Sequence, residues 1–83
     1  MSWFLLPYSV VPVIAKHRRI LGEAIRVRRN ELKFSQEKLA EKADLTPGYV
    51  SELERGNETI SVDRLVRIAD ALGLTVTDLV NGF

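Results

Sequence analysis

Four times between residues 34 and 79 the chain repeats one local pattern: an apolar residue, then Ser or Thr, then three residues, then a second apolar residue. The copies are Phe34-Ser35 with Leu39, Leu45-Thr46 with Val50, Ile60-Ser61 with Leu65, and Leu74-Thr75 with Leu79. A Ser or Thr hydroxyl at an N-cap accepts a hydrogen bond from an amide with no partner inside the helix, and the flanking apolar pair closes as a hydrophobic staple. The pattern therefore predicts helices beginning at Gln36, Pro47, Val62 and Val76. Pro47 then occupies the first helical position, where proline is welcome. Gly56 and Gly73 follow the third and fourth helices, where a left-handed residue commonly stops a helix.

From about Lys16 to Lys33, Leu21, Ile25 and Leu32 recur at helical spacing among Arg and Glu. This predicts a first helix with one core-facing stripe, in which Gly22 is a minor local cost. Helix 4 is amphipathic through Leu65, Ile68, Ala69 and Leu72. Nothing alternates with period two for long enough to make a strand, so the expected fold is all-α: a compact five-helix domain over residues 16–83. Residues 1–15 form an apolar N-terminal arm, and Pro7 and Pro12 argue against a regular helix before about residue 13. The arm's aromatics must be hidden, either against a dimer partner or by folding back onto the domain, unless the arm reflects an upstream start.

Eighty-three residues make one domain, and 46% hydrophobic with 28% charged residues is ordinary for a globular one. With no cysteine there is neither a disulfide nor a thiolate metal site, and a cytoplasmic setting is compatible. The apolar start lacks a basic leader and is too short to cross a bilayer, so no membrane role is indicated. The single histidine, His17, lies on a basic helix without clustered ligands, and the carboxylates are scattered without a matching base or nucleophile. No catalytic residue, metal, cofactor or small-molecule ligand is therefore assigned. Charge is uneven: residues 16 to 33 hold seven Lys/Arg against two Glu, and residues 34 to 83 hold five Lys/Arg against nine Asp/Glu. A basic first helix permits phosphate contact and equally suits a solvated face.

Only a short turn around Asp44 and Leu45 separates helices 2 and 3, so they cross steeply, with Ala40 where the backbones meet and Ala43, Val50 and Leu53 facing inward. The run SQEKLAEKADLTPGYVSELERG resembles the helix-turn-helix of the lambda-repressor and Cro-like family, often called XRE, and the likeness covers about residues 19 to 81. Gln36, Ala40, Val50, Leu53, Glu54-Arg55-Gly56 and the later Ile68-Ala69-Asp70-Ala71-Leu72-Gly73 carry it. The family usually has glycine where this chain has Asp44, a residue that tolerates the left-handed conformation better than most. Within the family, the length and the TPGYVSELERG run resemble restriction-modification controller proteins, with phage-type repressors and antitoxin-like regulators close behind.

The resemblance implies double-stranded DNA as partner, read by the helix-turn-helix proper at residues 36–55, and an ion pair of Arg29 with Glu54 tying helix 1 to the end of helix 3. In this geometry the start of the recognition helix meets base edges, which makes Thr46, Pro47, Gly48, Tyr49, Ser51 and Glu52 the readers. Each has a second reading: Thr46 as N-cap, Pro47 as helix starter, Tyr49 and Ser51 as sugar or phosphate contacts, Glu52 as a helix-surface charge. Phosphate contacts are expected from Ser35 and Gln36 at the start of helix 2 and from Arg26, Arg28, Arg55 and Asn57. Homodimerisation is expected through Leu79, Val80 and Phe83, although Leu79 also suits the core, and half-sites about 34 Å apart fit a two-fold arrangement. RNA polymerase is a further candidate partner. The competing function is a protein-interaction module of the same fold, antitoxin-like or regulator-binding, which the acidic second half mildly favours.

Overall fold

The computed structural model describes residues 11–82. Five helices follow one another, without a strand among the described residues: α1 (Val11–Glu31), α2 (Gln36–Ala43), α3 (Pro47–Glu54), α4 (Val62–Ala71) and α5 (Val76–Val80). The last four start at the capped positions. The Ser35, Thr46, Ser61 and Thr75 hydroxyls accept from the amides of Lys38, Tyr49, Arg64 and Asp78 at 3.0–3.2 Å. Thr75 adds a capping box, its own amide donating to the Asp78 carboxylate at 3.1 Å, which secures a helix of only five residues.

Four helix ends close alike. The amides of Phe34, Leu45, Asn57 and Leu74 each reach back five residues, to the carbonyls of Arg29, Ala40, Glu52 and Ala69, at 2.8–3.0 Å. That bond requires a left-handed residue just before the donor. Gly56 and Gly73 supply it with φ of 79° and 69°, Asp44 with 56°, and Lys33, which the sequence does not flag, with 62°.

The start of α1 departs from expectation. The helix begins at Val11 rather than near Lys16, with Pro12 as its second residue. An amide in the first turn has no acceptor inside the helix, so a proline there removes no hydrogen bond. Residues 11–15 of the expected arm are thus helical, while residues 1–10 and Phe83 lie outside the described residues.

The core is Ile25 from α1, Leu39, Ala40 and Ala43 from α2, Val50 and Leu53 from α3, Ile68, Ala69 and Leu72 at and around α4, and Leu79 from α5. Each large member contributes about 1.5–3 kcal/mol by leaving water. Leu21 and Leu32, expected to share the α1 stripe with Ile25, are half-buried around it. Leu79 is 0% exposed, which corrects its assignment to a dimer surface: α5 is held to the domain by this side chain. α2 packs against α3 and α4, and α1 against α3 and α5, so α3 is gripped on one side only. No helix among the described residues is long and apolar enough to cross a membrane.

Candidate nucleic-acid interface

α3 is anchored by its second half. Val50 and Leu53 are buried, and Glu54, whose side chain is 4% exposed, receives Arg29 in a two-pronged pair: Nε to Oε2 at 2.6 Å and Nη2 to Oε1 at 3.0 Å. Arg29 also donates to the Phe34 carbonyl at 2.8 Å, and the Gln36 amide donates to Glu54 Oε1 at 3.1 Å. One carboxylate therefore joins α1, the α1–α2 connection, the start of α2 and the end of α3. Removing one partner of a pair this dry leaves an unmatched charge, a loss of about 3–5 kcal/mol.

The first turn of α3 is free. Thr46, Pro47 and Gly48 are exposed, and a β-carbon built on Gly48 meets nothing within 4 Å. Beside it stands the start of α2, with Ser35 exposed and Gln36 half-buried. Unpaired amides at two neighbouring helix starts make this side attractive to anions.

Other expected contacts are placed differently. The Tyr49 hydroxyl donates to the Thr59 carbonyl at 2.5 Å, so it holds the α3–α4 connection and is not free to donate to a phosphate. Ser51 is half-buried. The structure brings Glu52, expected among base readers, together with two residues expected on phosphates: Arg55 donates to Oε1 at 2.8 Å and Asn57 to Oε2 at 3.0 Å. Arg26 bonds Glu23 on the exposed side of α1, and that hydrogen bond, more than the charge, raises the guanidinium pKa above its ordinary value.

Arg28 is corrected from a phosphate contact to a cap. Its Nε donates to the Leu72 carbonyl at 3.0 Å, closing the end of α4, because the turn of α1 that carries it packs towards that end. Of the expected dimer residues, Val80 is 52% exposed, Leu79 is buried, and Phe83 is outside the described residues.

Two cations escaped the sequence reading. The Arg64 guanidinium lies 5.0 Å from the centre of the Tyr49 ring, and Arg67 lies 3.8 Å from the Asp44 carboxylate. With Asp44, Leu45, Thr46 and Tyr49 they line a hollow of about 240 Å³ at the start of α3. The only sequence signal was their spacing of three on α4, which places both on one helix face. No group of three or more His, Cys, Asp or Glu among the described residues is arranged to hold a metal ion.

Comparison with known proteins agrees with this geometry. A family model described as helix-turn-helix matches residues 25–79. The control protein C.BamHI of Bacillus amyloliquefaciens is 38% identical over 65 residues, 77% of this chain and 80% of that protein. Among solved structures, the clp gene regulator ClgR from Corynebacterium glutamicum superimposes with a TM-score of 0.77 at 38% identity, over 80% of this chain and 70% of that one. The restriction-modification controller protein C.AhdI from Aeromonas hydrophila does so with a TM-score of 0.73 at 31% identity, over 75% of this chain and 94% of that one.

Proposed function

The chain belongs to the helix-turn-helix family, in its XRE-type branch of DNA-binding regulators, and we propose that it works as a sequence-specific homodimer, each protomer laying α3 in the major groove of a palindromic operator. The observation that carries this reading is the first turn of α3. It is exposed at Thr46, Pro47 and Gly48, rigidly held from behind by Val50, Leu53 and Glu54, and covered by nothing else in the described residues.

Thr46 and Gly48 bring backbone close to the groove, and Ser51 and Glu52 present polar atoms to base edges. Gln36 and the free amides at the start of α2, together with Arg55, Asn57 and the newly found Arg64, take phosphates and set the register. One such domain covers a half-site, and two-fold pairing doubles the contacts, with half-sites about 34 Å or a multiple of that apart. Because C.BamHI is a control protein and C.AhdI a restriction-modification controller, we read the physiological role of this chain as control of restriction-modification genes.

The experiment is selection of bound duplexes from random DNA, followed by mobility shift of the selected site. A symmetric selected sequence, retained in a salt-sensitive way, is expected. Silence with every duplex at low ionic strength overturns the reading.

A further inference from the structure

The first half of α1 carries an apolar seam that the domain does not use. Val13, His17, Ile20, Ala24 and Val27 follow one another at spacings of four, three, four and three residues. Val13, Ile20 and Val27 are 54%, 49% and 41% exposed, His17 is exposed and Ala24 half-buried. The buried residues of α1 are Gly22 and Ile25, so its first two or more turns extend past the core. A helical stretch of that length has little stability in water without a partner.

We propose that this seam is the homodimer contact: α1 of one protomer packs antiparallel against α1 of a second copy of this chain. The alternating spacing averages about 3.5 residues, the narrow seam that one helix presents to one other, rather than the wider stripe that faces a core or a lipid surface. Charge selects the second copy and the orientation. The antiparallel alignment that sets His17 on Ile20 of the copy, and Val13 on its Ala24, also sets Lys16 beside Glu23 of the copy. Symmetry makes that opposite-charge contact twice, and flanking charges are what fix partner and orientation in such pairs.

Two further features support closure. His17 Nδ1 lies 2.8 Å from the Val13 carbonyl oxygen, so one ring nitrogen keeps its partner when the face is covered. Exposed Val80 joins His17, Ile20 and Leu21 around a hollow of about 180 Å³, so the seam runs on into α5. The proposal rests on the homodimer reading and names its face.

Sedimentation equilibrium of the full chain tests it, with mobility shift on a selected duplex run in parallel. The wild type should dimerise, and Ile20→Asp, at a position already half in water, should weaken association by at least about tenfold. Glu23→Lys should weaken it by a smaller factor, and adding Lys16→Glu to Glu23→Lys should restore it, which a misfolded variant would not do. A wild-type dimer that both Ile20→Asp and Glu23→Lys leave intact overturns this face while the homodimer stands. A monomeric wild type overturns both, and a monomer that binds anionic phospholipid vesicles through Ile20 assigns the seam to a membrane surface instead. Retention of DNA by a monomeric variant separates any of these failures from failure of DNA recognition.

Discussion

A β-carbon at position 22 would sit 2.7 Å from the carbonyl oxygen of Glu54 and closer still to that of Leu53, so the glycine midway along α1 answers to α3, not to its own helix. Within one helix glycine is only a cost, which is why position 22 reads from sequence as a minor penalty; the opposing carbonyls come from a segment thirty residues on, and no local pattern announces them. Gly22→Ala gains helix propensity yet must push α1 off α3, and a net loss of about 1–3 kcal/mol is expected in urea denaturation. A more stable variant would show that the two helices have room to spare. Gly48 is the opposite case, with an ordinary backbone and open space where a side chain would go. Gly48→Ala should therefore stabilise the free protein by about 0.5 kcal/mol. If groove and backbone meet at this turn, the same methyl should weaken binding of the selected duplex. Equal affinity of variant and wild type would remove position 48 from the contact.

At the level of helices, what was readable was what is local. An N-cap and its staple lie within six residues of one another, so the starts of α2 to α5 stood in the sequence, as did the two glycine-ended stops. The start of α1 did not, because a proline warns against a helix interior and says nothing against a first turn. The end of α1 was also hidden. Lysine rarely takes a left-handed conformation, yet Lys33 does, at φ 62°, since the Phe34 amide must swing back to the Arg29 carbonyl before α2 can start. A non-glycine residue held there costs roughly 1–2 kcal/mol, and Lys33 is exposed. Lys33→Gly should thus raise the melting temperature, by roughly 4–8 °C per kcal/mol recovered in a domain of this size. A fall would mean that the extra freedom glycine brings to the unfolded chain outweighs the relieved strain.

For the molecule as a whole, a net charge of +1 leaves little long-range pull on DNA, so the few cations around α3 decide how strongly salt acts. Which residues are near α3 was legible, but how they pair was not: Glu52, Arg55 and Asn57 have separate roles in sequence, whereas in the fold one carboxylate holds both of the others. Bonds of this kind depend on where side chains at a helix end turn once Gly56 has stopped it. The pairing has a consequence for binding. An approaching phosphate must compete with Glu52 for Arg55, so the carboxylate lowers affinity for every sequence and is compensated only where a base donates to it. Glu52→Gln, which keeps the shape and removes the charge, should tighten binding to unrelated DNA and steepen the dependence of log K on log salt by about one per protomer. It should also narrow the gap between the selected site and its variants. Arg55→Ala should do the reverse, weakening all duplexes alike and making the slope shallower by about one per protomer. Fluorescence anisotropy over a salt series reads both quantities from one titration set. If Glu52→Gln leaves the slope where it was, Arg55 does not reach the phosphates, and the carboxylate is then only a helix-end partner for Arg55 and Asn57.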